Sequence, residues 1–187
     1  SALLWSVLLL SRSPHAQAEI QREVDAVLDV NTDPVTWLTA LPYTRAVLEE
    51  SMRMFPPVAT LQREALVAAT VNGVTLRPGV SIRMSPFVVH RNSTNFENPS
   101  TFIPERFLPE NRKSIARCQY MPFGAGARSC LGGHFAMMEG VIALAVLTKT
   151  FAFEPVNDDA PEPIQRFSAR PIGGVPIRAI PRSPTPQ

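Results

Sequence analysis

The sequence FGAGARSCLG, residues 123–132, sets one cysteine in a loop rich in glycine. Gly124 and Gly126 can adopt backbone conformations that residues with a Cβ resist, so the segment can form a tight turn. The apolar run that follows predicts a helix, whose free N–H groups would point at the Cys130 sulfur and favour its anionic form. Arg128 adds a forked donor suited to a carboxylate. We therefore expect Cys130 to ligate a metal, and haem, a flat cofactor with two carboxylates and an open axial position, fits this set of groups.

The same stretch resembles the haem-binding signature of the cytochrome P450 family. The matching residues, which are expected to bind haem b, are Phe123, Gly124, Gly126, Arg128, Cys130 and Gly132. The resemblance implies that Cys130 is both the proximal iron ligand and the catalytic residue. It also implies that Phe123 shields the sulfur and that Arg128 contacts a haem propionate, as does Arg63 further upstream. The alternatives are a buried structural thiol at Cys130 and a surface arginine at Arg63.

A helix is predicted over residues 41–55, because apolar residues recur there at helical spacing and two prolines follow. Glu50 lies on the apolar stripe, so its carboxylate would be buried and would need a partner, and Arg53 is within reach one turn later. The alternative is an ordinary solvated ion pair. The resemblance implies that Arg106, in the Pro-Glu-Arg-Phe sequence of residues 104–107, joins this pair and locks the core behind the haem.

The composition agrees with a globular domain that binds a cofactor. The chain has 187 residues, of which 45% are hydrophobic, and its 19 prolines indicate many turns. A net charge of +2 without a basic, aromatic-rich patch argues against nucleic-acid binding. Cys118 is predicted to be a free thiol in a reducing compartment, because a Cys130 that binds iron cannot form a disulfide. The histidines have no metal-ligand spacing, so a zinc site is not expected.

The pattern along the chain predicts a mainly α fold with small β-sheets, an α+β class. We expect residues 1–187 to form a single incomplete domain, the C-terminal portion of a cytochrome P450-like fold, with a frayed tail over residues 181–187. In the first part of the chain we expect a helix end at 2–10, a helix from Pro14 capped by Ser13, and a linker at 31–40. Strands are expected at 58–84, with a turn at Asn72-Gly73, and a polar meander at 92–117. A helix at 131–151, buried on nearly every face, and a hairpin at 164–180 containing Gly173-Gly174 are expected to follow.

Residues 2–10, ALLWSVLLL, imitate the apolar core of a signal peptide. The run lacks a basic flank and is too short to span a bilayer, so we expect the end of a buried helix instead. The resemblance implies a longer enzyme, because the acid–alcohol pair of its distal helix would lie upstream of Ser1. No membrane span is expected in this segment. The cytoplasm is the expected location, and a membrane anchor upstream is left open.

The resemblance implies a monooxygenase that inserts one atom of dioxygen into a lipophilic small molecule, with electrons from NAD(P)H delivered through a redox partner. That partner would be a ferredoxin, a flavodoxin or a flavin reductase. We expect the chain alone to be inactive. A peroxide-using or isomerising relative is one alternative, and a truncated, non-catalytic haem-binding or interaction remnant is another.

Two surfaces are expected around the haem site. The first borders the substrate pocket and consists of Val58, Ala59, Thr60, Leu61 and Ile164, with Pro163 and Gln165 beside it. These residues would serve equally as plain core. The second is a basic face for an acidic redox partner and consists of Arg112, Lys113, Arg117 and Arg128. A solvated charged surface is the alternative for this second group.

Overall fold

The computed structural model describes residues 1–30, 33–159, 161–165 and 168–183. The α-helices are α1 Ala2–Ser11, α2 Pro14–Leu28, α3 Pro34–Ala40, α4 Pro42–Met54, α5 Pro86–Val89, α6 Pro109–Arg112 and α7 Gly133–Thr150. Short 3₁₀ turns occupy Pro104–Phe107 and Gly126–Arg128. The strands are β1 Leu61–Glu64, β2 Ala69–Val71, β3 Val74–Leu76, β4 Ser81–Met84, β5 Phe151–Pro155, β6 Pro163–Gln165, β7 Ala169–Pro171 and β8 Ile177–Pro181. The predicted α+β class is confirmed.

Helices α1, α2, α4 and α7 enclose the main hydrophobic core. Its fully buried side chains are Leu10, Ile20, Val24, Leu41, Val47, Val141 and Leu144. Helix α2 begins as predicted, because Pro14 supplies its first turn and the Ser13 hydroxyl accepts a hydrogen bond from Ala16 N at 3.4 Å. Burying this apolar surface is what holds the helices together, since the strands form only small sheets.

The expectation of a linker over residues 31–40 is wrong for most of that segment. Helix α3 occupies Pro34–Ala40, and the Asp33 carboxylate caps it by accepting a hydrogen bond from Val35 N at 3.0 Å. An Asp-Pro pair is itself a helix-start signal, with the cap residue followed by proline in the first turn. Trp37 anchors the short helix in the core with 8% of its surface exposed. Residues 31 and 32 lie outside the described part of the chain.

Helix α7 is less buried than its apolar sequence predicts. Its second half packs into the core through Val141, Leu144 and Ala145. Its first two turns are open, and Phe135 exposes 64% of its surface. A helix that is apolar on every face needs packing partners on all sides. Among the described residues, the exposed side of the first turns of α7, next to the cysteine, has no such partner.

The strands form four two-stranded antiparallel sheets in the described residues. The hairpin of β2 and β3 turns at Asn72 and Gly73, whose φ angles of 49° and 79° suit the type I′ turn expected of an Asn-Gly pair. Strand β1 pairs with β4 across the intervening hairpin, with Arg63 opposite Ile82. The predicted strand region 58–84 is therefore confirmed.

The predicted hairpin over residues 164–180 is wrong. Strand β6 pairs antiparallel with β7, and β8 pairs instead with β5, with Ile177 opposite Pro155. Gly173 and Gly174, at φ angles of 74° and 89°, turn the chain from one sheet to the other rather than closing a hairpin.

The expected frayed tail does not begin at residue 181. Pro181 ends β8, and the Arg182 guanidinium contacts both oxygens of Asp25, at 2.6 and 3.2 Å. Arg182 also donates to the carbonyl oxygen of Thr148 at 2.8 Å, so it ties the chain end to α2 and α7. Residues 184–187 lie outside the described residues. Among the described residues, no helix is both long enough and apolar enough to cross a membrane.

Candidate haem-thiolate site

The cysteine loop is a tight turn held by backbone hydrogen bonds. Gly124 N donates to the carbonyl of Met121 at 3.0 Å, and Cys130 N donates to the carbonyl of Phe123 at 2.8 Å. Gly124 and Gly126 have φ angles of 74° and 76°, in the region that a side chain resists. The two glycines that the sequence singled out are therefore required by the backbone of this turn.

Cys130 lies at the open end of the loop, just before helix α7. Its thiol is free and exposed, and so is that of Cys118. Leu131 beside it is completely exposed and Phe135 is largely so. Phe123 packs beneath the start of α7, since a Cβ placed on Gly133 would come within 3.4 Å of its ring. Cys130 thus stands over an apolar surface that an aromatic cofactor would cover.

Glu50 and Arg53 form a completely buried ion pair on helix α4. Arg53 Nε donates to Glu50 Oε2 at 2.6 Å and Arg53 Nη2 donates to Oε1 at 2.9 Å, and both side chains have 0% exposure. Burial raises the pKa of Glu50, and the hydrogen bonds from Arg53 oppose that rise. The alternative of a solvated surface pair is therefore excluded.

The buried pair also holds the irregular backbone that crosses it. The remaining donors of Arg53 go to the carbonyl oxygens of His90 and Pro99 at 2.8 Å each and of Thr101 at 3.2 Å. The N–H of Ile103 donates to Glu50 Oε1 at 2.9 Å. These backbone partners could not be found from the sequence, because carbonyl groups leave no signature in it.

Arg106 reaches the pair as expected, but loosely. Its Nε lies 3.6 Å from Glu50 Oε1, which is an ion-pair contact rather than a hydrogen bond. Its Nη2 donates to the carbonyl of Asn98 at 3.1 Å. Arg53 is therefore the main cationic partner of the Glu50 carboxylate, and Arg106 is a second, weaker one.

The residues expected to border the substrate pocket come together near the cysteine loop. Ala59 N donates to Gln165 Oε1 at 3.2 Å, which joins the 58–61 stretch to strand β6. A Cβ placed on Gly124 would lie 3.8 Å from Leu61 Cδ1, so this stretch also reaches the cysteine loop. Arg63 is two residues beyond Leu61 and shares its face of β1. Val58, Thr60 and Ile164 are exposed and available to a ligand.

The expected basic face is only partly free. Lys113, Arg117 and Arg128 are exposed. Arg112 lies over the rings of Phe107 and Tyr120 and stands 3.6 Å from Glu49. Sequence reasoning missed three further residues here, and they are Arg45, Glu49 and His134. Together with Arg112 they line a cleft of about 300 Å³ that reaches Cys130.

Comparison with known proteins assigns the family. The cytochrome P450 family model matches residues 1–177, so this chain belongs to the cytochrome P450 family. Cyclooctatin synthase of Streptomyces melanosporofaciens is 35% identical over 94% of this chain, and cytochrome P450 3A28 of Bos taurus is 33% identical over 100% of it. Human cytochrome P450 4V2 is 35% identical over 82%. The chain spans 39%, 38% and 30% of the lengths of these relatives, respectively.

The residues present fit the haem iron that the family implies. An exposed sulfur donor at Cys130 suits ligation of a haem iron, and no cluster of three or more His, Cys, Asp or Glu residues occurs in the described chain to form a different metal site. The exposed apolar surface at Leu131 and Phe135 suits the porphyrin.

Proposed function

We propose that the protein to which this chain belongs is a haem-thiolate monooxygenase, with Cys130 as the axial ligand of haem b. The observation that carries this proposal is the closed, glycine-built turn that presents an exposed, unpaired Cys130 thiol at the start of α7. A haem held by Cys130 would supply dioxygen activation, in which one oxygen atom would enter the substrate and the other would leave as water after uptake of two electrons and two protons.

The chain's own residues would hold and orient the haem. Phe123 covers the base of the loop and would keep water from the Cys130 sulfur. Arg63 and Arg128 would hold the propionates. Arg128 is exposed in the cysteine loop, and Arg63 lies on the adjoining strand β1, where its Nη1 donates to the carbonyl of Gln62 at 2.8 Å and its other donors have no hydrogen-bond partner among the described residues. Gly132 would leave room near the sulfur, since a Cβ built on this residue would have no atom within 4 Å. The substrate would be a lipophilic small molecule.

Electrons would come from NAD(P)H through a ferredoxin, a flavodoxin or a flavin reductase. The charge of the cleft beside Cys130 supports an acidic partner, because Arg45 and Arg112 line it and the exposed cations Lys113 and Arg117 follow in the chain. Glu49 lies 3.6 Å from both Arg45 and Arg112 in the same cleft and offsets part of their positive charge, so the acidic partner is expected to depend mainly on the exposed cations.

The test is the spectrum of the full-length protein, reduced and exposed to carbon monoxide. Thiolate ligation by Cys130 predicts a strongly red-shifted Soret band. Cys130→Ser should abolish that band, and Cys118→Ser should keep it, since Cys118 is the matched free and exposed cysteine. A red-shifted band that survives in Cys130→Ser would refute the ligand assignment.

A further inference from the structure

His90 is a fully buried histidine that lies between the ion pair of α4 and the cysteine loop. Its exposure is 0%, and its ring centroid is 5.3 Å from that of Tyr120. Its backbone carbonyl accepts from Arg53 Nη1 at 2.8 Å, and its Nε2 accepts from the N–H of Met121 at 2.9 Å. One residue therefore touches the buried pair through its backbone and the loop through its side chain.

The contact at Met121 acts where the cysteine turn begins. The carbonyl of Met121 accepts from Gly124 N at 3.0 Å, and two residues along the chain the carbonyl of Phe123 accepts from Cys130 N at 2.8 Å. A continuous set of short contacts thus runs from Arg53 through His90 and Met121 to the cysteine.

The contacts of His90 define its protonation. Nε2 can accept the hydrogen bond from the Met121 N–H only if Nε2 itself is unprotonated, so the neutral ring carries its proton on Nδ1. Burial lowers the pKa of His90 to about 4, and nearby Arg53 and Arg91 add to this, although the backbone carbonyls of Arg53 and Met52 favour the charged form. Nδ1 has no hydrogen-bond partner of good geometry among the described residues. The imidazole is therefore neutral at pH 7 and is available as an acceptor.

We propose that His90 is a positioning residue for the cysteine ligand, which fastens the start of the cysteine turn to the buried Glu50–Arg53 pair. It does not touch the reacting atoms. Its role rests on the proposed function, since the position of the Cys130 sulfur matters to the reaction only if the sulfur ligates the haem. The Met121 contact itself can be measured without haem.

The test compares His90→Gln with His90→Phe in the full-length protein. The side-chain carbonyl of glutamine can replace Nε2 as an acceptor, whereas phenylalanine fills the volume without one. In His90→Phe we expect the Met121 amide to exchange with deuterium at least tenfold faster than in the wild type. Haem should dissociate about tenfold faster, and the reduction potential of the iron should shift. His90→Gln should restore all three toward the wild type. His15→Phe is the control, because 74% of the His15 side chain is exposed.

The outcomes separate this proposal from the proposed function. Unchanged Met121 exchange in His90→Phe would overturn the positioning role, and so would a His90→Gln protein that behaves like His90→Phe. A wild-type protein without the red-shifted band would overturn the proposed function instead. In that case Met121 exchange in the haem-free protein would still show whether His90 holds the loop. If His90→Phe fails to fold, the wild type is compared with His90→Gln alone. We expect equal Met121 amide exchange and equal haem retention in these two proteins, and a tenfold difference in either quantity would contradict the positioning role.

Discussion

Substitution of Glu50 by glutamine tests whether the buried ion pair holds this part of the fold together. The change preserves the shape of the side chain and removes its charge. Arg53 then keeps its charge at 0% exposure with only neutral acceptors, which are three backbone carbonyls and the amide oxygen of the glutamine, and Ile103 N–H loses a charged acceptor. Removing one member of a buried pair costs about 3–5 kcal/mol, because the remaining charge is left uncompensated.

The assay is urea unfolding of the full-length protein, together with its haem content. Glu154→Gln is the matched control, since Glu154 pairs with Arg178 at 3.6 Å while both side chains are more than half exposed. That surface change should cost less than about 1 kcal/mol. We expect Glu50→Gln to lower the free energy of unfolding by about 3–5 kcal/mol and to reduce haem retention.

A Glu50→Gln protein that lost no more stability than Glu154→Gln would refute this reasoning. A second measurement separates charge from shape. Adding Arg53→Met to Glu50→Gln removes the stranded cation and also the donors to three backbone carbonyls, so the double variant should lose less stability than the sum of the two single variants. If the two substitutions were simply additive, the guanidinium would not be the source of the penalty.

Two further predictions concern packing and pH. Gly140→Ala should lower the free energy of unfolding by about 1–3 kcal/mol, because the new Cβ would come within 2.5 Å of the buried Leu48 Cδ2. In a protein that already carries Leu48→Ala, the same change at Gly140 should have almost no further effect on stability. Lowering the pH from 7.5 to 5 should reduce the free energy of unfolding of the wild type by about 2 kcal/mol more than that of His90→Gln. The reason is that His90 takes up a proton near pH 6.5 in the unfolded chain but only near pH 4 in the folded chain, where it is buried and lies near Arg53 and Arg91. Urea unfolding at the two pH values measures this difference, and parallel profiles would contradict it.

The parts of the fold that the sequence predicts correctly depend on local chemistry. The turn at Asn72 and Gly73 needs positive φ angles, which that residue pair supplies without help from distant contacts. The cap of α2 at Ser13 and the helix carrying Glu50 follow from the same kind of short-range rule. The burial of Glu50 was inferred from helical periodicity, which fixes the face on which a side chain lies.

The parts that the sequence does not predict depend on which distant segments meet. Strand β8 pairs with β5 rather than with its nearer neighbours, and nothing in residues 164–180 states this choice. Likewise, His90 shows its role only when the chain has folded, since its partner Met121 is far away in sequence. Helix α3 is a different case, because Asp33 and Pro34 are a local helix-start signal, which the prediction of a linker leaves unused.

The long irregular segment between α5 and the cysteine is stable because helix α4 supplies the hydrogen bonds that the segment cannot make with itself. A segment without regular structure leaves backbone N–H and C=O groups that must find partners once they are buried. Arg53 provides donors for three such carbonyls and Glu50 accepts from one N–H, so a single ion pair satisfies backbone on several sides. The carbonyl of His90 is one of those three, and its ring continues the contact to Met121. The buried charges therefore stabilise irregular backbone at the place where a turn, rather than a helix or strand, must present Cys130.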